Sequence, residues 1–217
     1  MSGKRTPQRL VAKRKKQNLQ TRTKVYLVLE GEVTEKQYFI AVGKTNPKGN
    51  YEMIPVTPGS SRTTLFDKAA DLLEDLKREA KKLGRNRRHS DVGEIWIVCD
   101  VDDEGRVLSQ LLERRESKEV RWIISNPSFD VWIGMHFQRI TAYIDRQEIQ
   151  SQLKERKVLT GPNAKTISMD QLQGLYSIAR DNAQACAKRH EGVTTFPDNN
   201  PSSQVPELVD RLNPEWR

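Results

Sequence analysis

Short apolar runs alternate along the first two thirds of the chain with stretches in which apolar residues recur every three or four positions. The runs are rich in β-branched and aromatic residues and predict strands, whereas the spaced stretches predict amphipathic helices. The predicted strands lie at 25–29, 51–56, 94–100 and 120–124. The predicted helices lie at 34–42, 65–83, 107–112 and 129–137. This alternation predicts an α/β fold with a mainly parallel sheet and helices on both faces.

Beyond residue 140 the pattern becomes polar and mainly helical. A capping box at 168–171 predicts the start of a helix that continues to Cys186, and a last short helix is expected around 205–212. Earlier in the chain, Ser128 is placed to cap the helix that follows it. We therefore divide the chain into a basic tail at 1–24, expected to be flexible, an α/β core at 25–139, and a helical C-terminal appendage at 140–217 that belongs to the same domain.

The composition is that of a soluble protein. Charged residues make up 30% and hydrophobic residues 35% of the 217 positions, and no apolar run is long enough to span a membrane. No apolar segment follows the basic N-terminus, so a secretory signal is not expected and a cytoplasmic location is. The two cysteines, Cys99 and Cys186, have no partner at a metal-ligand spacing and are predicted to be reduced core residues.

The positive charge is concentrated at the N-terminus. The net charge is +8, and residues 1–24 contain nine lysines and arginines and no acid, which leaves the rest of the chain close to neutral. Such a tail can neutralise the phosphates of a nucleic acid. A solvated extension without a partner is the equally weighted alternative.

Two predicted strands end in acidic residues. The strand at 94–100 ends in Asp100 and is followed by Asp102, and the first strand ends in Glu30. The carboxyl ends of parallel strands form the edge where ligands bind in open α/β sheets, so these acids are expected to converge if the two strands are neighbours. Side chains two positions apart on a strand point to the same side, which predicts that Asp100 and Asp102 face one cation.

Hard divalent cations such as Mg²⁺ prefer oxygen ligands, and they are commonly held by one or two carboxylates together with substrate phosphates. The acids therefore predict a metal shared with a phosphodiester, with Glu30 as a general acid or base. The alternative is that 102–104 are merely the first residues of a helix, whose dipole favours acids. That alternative accounts for Asp103 and Glu104 at least as well, but not for Asp100 or Glu30.

The spacing of these acids resembles the Toprim domain, which has a glutamate after its first strand and a DxD sequence after its third. More closely, the chain resembles the RloB-like family. The resemblance extends from about residue 24 to the C-terminus. Its blocks are EGEVTE at 30–35 with YF at 38–39, DVD at 100–102, SNPSFDVW at 125–132 with HF at 136–137, and NPSS at 200–203.

The resemblance implies a Mg²⁺-dependent Toprim nuclease of prokaryotic antiphage defence, with Mn²⁺ as a substitute and often with an ATPase subunit encoded nearby. On that model Glu30 is the catalytic acid or base, and Asp100 and Asp102 bind the metal together with Glu30. Overcoming-lysogenization-type Toprim nucleases carry a second acid shortly after the first glutamate, for which Glu35 is the candidate here. Asp130 stands where the family usually has Glu.

Two residues of the third block have alternative interpretations. Asn126 and His136 are candidates for substrate contact if this block lies beside the site. For His136, a structural place on the helix face between Trp132 and Phe137 is the preferred interpretation.

Two other functions stay open at this point. The same acids serve other phosphoryl transfers, including primase-like and topoisomerase-like reactions. The chain could instead be a non-catalytic subunit that binds nucleic acid through its tail. It contains no Walker A pattern, so any ATP dependence would come from another chain. The substrate, DNA or RNA, and the oligomeric state are left open, and an oligomer is compatible with the sequence.

Overall fold

The computed structural model describes residues 23–46, 49–54, 61–84, 86–193, 195–196 and 198–216. Residues 1–22 of the predicted basic tail lie outside the described residues. Residues 55–60, which contain the end of the second predicted strand and most of the loop after it, do so as well. Within the described ranges, no helix combines the length and the apolar character needed to cross a membrane.

Five strands of the described chain form one sheet in the order β2-β1-β3-β4-β7. The strands are β1 Lys24–Leu29, β2 Tyr51–Ile54, β3 Gly93–Asp100, β4 Arg121–Asn126 and β7 Ser202–Ser203. The first four are parallel to one another, and β7 pairs with β4 in the antiparallel direction. A separate antiparallel pair, β5 Leu159–Thr160 and β6 Thr166–Ile167, lies in the C-terminal segment. The predicted α/β fold with a mainly parallel sheet is confirmed.

Helices cover both faces of the sheet, as predicted. They are α1 Thr34–Lys44, α2 Arg62–Leu83, α3 Gly105–Glu113, α4 Phe129–Met135, α5 Arg146–Glu155, α6 Tyr176–Arg189 and α7 Val205–Leu212. Alternate residues of each strand enter opposite cores because side chains along a strand point to the two faces in turn. In β1, Leu27 belongs to the core that includes residues of α1 and α4 to α7, whereas Val28 belongs to the core that includes residues of α2 and α3.

The C-terminal segment departs from the predicted pattern in three places, one of which is the antiparallel β5–β6 pair in a region expected to be mainly helical. The helix expected from the capping box at 168–171 is wrong at its start, because α6 begins only at Tyr176 and residues 169–171 form one turn of 3-10 helix. Gly174, with φ of 78°, adopts the left-handed conformation that ends such a turn. The segment also supplies β7, a two-residue strand with no periodic signal in the sequence. The last helix, α7, lies where it was expected.

Both cysteines are buried and unpaired, as the sequence predicted. Cys99 lies in β3 and Cys186 in α6, and neither forms a disulfide. Each therefore acts as a small apolar residue of the core.

Candidate active site

Glu30 and Asp100 meet at the carboxyl edge of the sheet because β1 and β3 are neighbours. Leu29 is paired with Val98, and the backbone N–H of Glu30 continues the ladder by donating to the Val98 carbonyl over 3.1 Å. The Glu30 side chain then turns back along the edge, where its Oε2 accepts the backbone N–H of Asp100 at 3.1 Å. The structure thus brings together the two acids that the sequence placed at separate strand ends.

Asp100 also fixes the start of helix α4. Its Oδ1 accepts the backbone N–H of Phe129 at 2.7 Å. Ser128, which the sequence predicted to cap this helix, lies at the N-cap position but makes no capping bond, and its buried Oγ has no partner among the described residues. The capping prediction for Ser128 is wrong in its side-chain bond: the Val131 N–H donates to the Ser128 backbone carbonyl, and the side chain that binds the helix start is the Asp100 carboxylate, on the Phe129 N–H.

Asp102 lies beyond the end of β3, in a tight turn. The strand ends at Asp100, and Asp102 has a left-handed φ of 42° while its N–H donates to the Pro127 carbonyl at 2.9 Å. The alternation of side chains along β3 therefore does not extend to Asp102. Asp100 and Asp102 are not placed on the same side by strand alternation, contrary to the sequence prediction. Its Oδ1 is buried without a hydrogen-bond partner among the described residues.

Five acids line one pocket of about 250 Å³, which we call the carboxylate pocket. Four of them, Glu30, Glu35, Asp100 and Asp130, are buried or partly buried, and the fifth, Glu32, is exposed. Glu35 reaches the pocket from the first turn of α1, across Gly31. A Cβ built on Gly31 would lie 1.6 Å from Glu35 Oε2, so the glycine of the Glu30-Gly31 pair leaves the space that this carboxylate fills.

Burial makes these acids weak. It raises the pKa of Glu35 to about 7 and that of Asp130 to about 6. The pKa of Asp100 is raised well above its ordinary value by burial and by the charges of Glu35 and Glu30, and the pKa of Glu30 is raised by burial against the opposing charge of Arg62. Crowded carboxylates with raised pKa values are typical of functional sites.

Arg62, the first residue of α2, is the buried cation beneath the site, with only 5% of its side chain exposed. Its Nε donates to the Asp100 carbonyl at 2.9 Å, and its Nη1 contacts Glu104 at 2.8 Å. Its Nη2 lies 3.7 Å from Glu30 and 3.6 Å from Asp102, too far for a short hydrogen bond. The guanidinium therefore balances three carboxylates from below.

The C-terminal segment contributes the facing wall of the carboxylate pocket. Arg146, from the start of α5, and Lys165 line the pocket together with the four acids. Arg146 Nη1 also donates to Asp102 Oδ2. Sequence reasoning missed these two cations and Arg62, because each comes from a different part of the chain with no motif around it. In the sequence, Asp130 stood out only as a departure from the Glu that is usual in the family, and no function was assigned to it.

His136 belongs to the core, as the preferred interpretation held. It is 1% exposed, its Nδ1 contacts the Trp132 carbonyl at 3.1 Å, and its ring packs edge-on against Trp132 and Tyr38. Burial lowers its pKa to about 4, which keeps it neutral. Asn126 is different, because it lines a groove beside the carboxylate pocket.

The donors present suit a hard cation in chemical terms, since they are carboxylate oxygens crowded in a partly buried pocket. Asp102 does not line this pocket but the groove beside it, and its buried Oδ1 has no hydrogen-bond partner among the described residues. Across the described ranges, however, no three His, Cys, Asp or Glu side chains are grouped as the ligands of one ion. The metal-ligand roles of Glu30, Glu35, Asp100 and Asp102 thus stay predictions.

Fold and site together define a mainly parallel α/β domain with a carboxylate-lined pocket at the carboxyl edge of its sheet. A family model described as RloB-like protein matches residues 25–212, and the chain belongs to the RloB-like family. Neither a curated protein nor a solved structure matches the chain. The family match covers the core and most of the C-terminal segment, so both walls of the carboxylate pocket lie within it.

We expect Arg62→Met to destabilise the metal-free protein by about 3–5 kcal/mol near neutral pH, because it leaves buried carboxylates without their counter-charge. Unfolding in urea with EDTA measures the loss. Arg78→Met is the matched control: Arg78 lies on the same helix but pairs with Asp75 at the surface, and its loss should cost less than about 1 kcal/mol. Equal costs for both variants would contradict a special role of Arg62.

Glu35 should make the metal-free protein less stable as the pH rises. Its pKa is higher in the folded chain than the ordinary value of 4.5, so the folded state holds the extra proton and loses relative stability between about pH 4.5 and 7. Glu35→Gln removes this penalty. As the pH rises, the free energy of unfolding of the variant should therefore increase relative to that of wild type, by up to about 3 kcal/mol above pH 7.

Urea titrations across this pH range in EDTA test the prediction for Glu35. The contribution of His136, whose lowered pKa acts in the opposite direction, is common to both proteins and cancels in the difference. A flat difference for Glu35→Gln would contradict the raised pKa.

Proposed function

We propose that this chain is a Mg²⁺-dependent nuclease of the Toprim type, which hydrolyses phosphodiester bonds in DNA or RNA as part of prokaryotic antiphage defence. The observation that carries the proposal is the carboxylate pocket, in which Glu30, Glu35, Asp100 and Asp130 line one cavity with Arg146 and Lys165. Acids that hold a cation together with bases that attract a phosphate are the groups that phosphodiester hydrolysis requires. Membership of the RloB-like family supports the same conclusion.

In this proposal Asp100 and Asp102 hold the cation with help from Glu30 and Glu35, and Mn²⁺ substitutes for Mg²⁺. When bound, the cation supplies Lewis-acid stabilisation of the negative charge on the phosphate. Two features of the chain itself favour a cation here. Burial and mutual repulsion disfavour the charged carboxylates, and Arg62 and Arg146 are shared with Glu104 and Asp102, which do not line the pocket.

Glu30 is the general acid or base of the proposed reaction. Its raised pKa brings it closer to neutral pH, where a carboxyl group exchanges protons most effectively. Its Oε2 is fixed by the Asp100 N–H, so its position does not depend on substrate. Arg146 and Lys165 neutralise and orient the phosphate from the facing wall.

Two partners belong to the proposal. The basic residues of the tail contact the phosphates of the nucleic acid outside the site, which predicts salt-dependent binding. Lys24 is not counted among them, because it lies in β1 and pairs with Glu52. An ATPase subunit controls the activity from another chain, in keeping with the family resemblance and with the absence of a Walker A pattern from the sequence.

The direct test is cleavage of labelled plasmid, single-stranded DNA and total tRNA by the purified full-length chain, alone and with the ATPase encoded beside it. We expect cutting with Mg²⁺ or Mn²⁺ and none with EDTA. Glu30→Gln and Asp100→Asn should each lose roughly a hundredfold or more in rate. Both keep an oxygen acceptor for the backbone N–H that the acid binds, so the fold is preserved.

Glu79→Gln, an exposed acid on α2, is the matched control and should cut as wild type does. Full activity of Asp100→Asn would overturn the nuclease assignment. Binding of nucleic acid without cutting in every condition would favour the non-catalytic subunit instead.

Gly31→Ala tests the place of Glu35 in the reaction. The new Cβ would occupy the position of the Glu35 carboxylate and push it from the carboxylate pocket. We expect the cleavage rate to fall roughly tenfold or more, since a small displacement of a positioned group is costly. In a Glu35→Ala background the same substitution should cause no further loss, and additive losses would show that Gly31 acts by another route.

A further inference from the structure

A groove with a volume of about 470 Å³ adjoins the carboxylate pocket, and we call it the Tyr143 groove. Arg146 lines both cavities, so the two adjoin at its side chain. The groove is lined by Asp102, which follows β3, by Asn126 at the end of β4, and by Tyr143, whose side chain is largely exposed. Its volume lies in the range of small-molecule sites and suits one nucleotide.

Tyr143 is unusual among the large apolar side chains. It is 69% exposed, and it is the one aromatic residue among the strongly exposed hydrophobic side chains of the described chain. Nothing in the core requires a ring at this position. A single exposed aromatic is not evidence of a site by itself, but this one lines a groove beside the carboxylate pocket.

The backbone that carries Tyr143 is firmly held. The Asn200 side chain makes two hydrogen bonds to the backbone of Ile144, the residue after Tyr143. Its Oδ1 accepts the Ile144 N–H at 3.1 Å, and its Nδ2 donates to the Ile144 carbonyl at 2.9 Å. Ile144 itself is buried, and Asp145 then caps α5 through the Glu148 N–H. The ring is thus presented on a rigid support, which lowers the entropic cost of binding a ligand against it.

Charge determines which part of a nucleotide fits the Tyr143 groove. Its walls carry Asp102, Asp103 and Asp145 against a single cation, Arg146. A phosphate would be repelled there, whereas an uncharged base ring would not. The carboxylate pocket is acidic as well, so the phosphate is placed there on the strength of the proposed cation together with Arg146 and Lys165.

We propose that the Tyr143 groove binds the base of an unpaired nucleotide next to the cleaved bond, stacked on the Tyr143 ring. This inference rests on the proposed nuclease function and specifies its substrate class. A base within a duplex has both faces covered by its neighbours, whereas an unpaired base can lie on an aromatic side chain. The chain therefore prefers single strands or the unpaired loops of folded RNA to continuous duplex.

Binding of short oligonucleotides tests this. Fluorescence anisotropy is recorded with Ca²⁺ in place of Mg²⁺, using single-stranded and duplex forms of one sequence. The single strand carries a fluorescent adenine analogue whose emission falls on stacking, placed at each position in turn. Tyr143→Ala should weaken single-strand binding about tenfold or more and abolish the quenching, whereas Tyr143→Phe should keep both. Leu83→Ala, which removes an equally exposed apolar side chain from the end of α2, should bind as wild type.

In cleavage assays Tyr143→Ala should raise KM and leave kcat unchanged, because stacking acts equally on bound substrate and transition state. Unchanged binding by Tyr143→Ala, in a protein whose wild type cuts, would overturn the groove and leave the nuclease function standing. Equal losses in Tyr143→Phe and Tyr143→Ala would also overturn it, since they would assign the effect to the hydroxyl. A wild type that binds no nucleic acid would overturn both proposals.

Discussion

The carboxylate pocket depends on the ion pairs that Arg62 makes beneath it. The register of β1 against β3 places Glu30 beside Asp100, and the turn after β3 adds Asp102 to the same edge. Partly buried acids at this spacing repel one another, and burial adds to the cost. Arg62 supplies the opposite charge from below and, through its bond to the Asp100 carbonyl, ties α2 to the end of the central strand. Without that cation the edge of the sheet would have to open or take up protons.

A second cation gives the C-terminal segment its place in the site. Arg146 meets Asp102 from the opposite side, and the helix that carries it is held by contacts of α5 with α4. The NPSS block near the C-terminus completes this arrangement. Asn200 holds the peptide of Ile144, while the Ser203 hydroxyl lies 3.0 Å from that of Ser125 in β4. A block that the sequence offered only as a family resemblance thus has a physical role: it joins the segment to the sheet beside the pocket.

The sequence predicted the parts of the structure that local chemistry determines. Periodicity located β1, β3 and the long helix α2, and the acids at two strand ends predicted where Glu30 and Asp100 would meet. It did not predict β7, which is too short for a periodic signal, or the roles of Arg62 and Arg146, whose meaning depends on which helix start packs against the acidic edge. Ser128 shows the same limit, since a propensity rule for helix caps cannot anticipate an aspartate from another strand.

The structure also separates the two explanations that the sequence left open for the acids. Acids that only complement a helix dipole are stabilising when they are charged and lie at an exposed first turn. Asp103 is exposed and the Glu104 side chain is 44% exposed, so both fit that explanation. Glu35, Asp100 and Asp130 do not, because they are buried and their pKa values are raised, so each costs the folded protein stability near neutral pH. A structural role would be met at lower cost by Gln or Asn at these positions. A cation or a proton bound in the pocket would offset this cost, which is the physical reason for proposing a chemical role for these three acids in addition to structural ones, such as the bond of Asp100 to the Phe129 N–H.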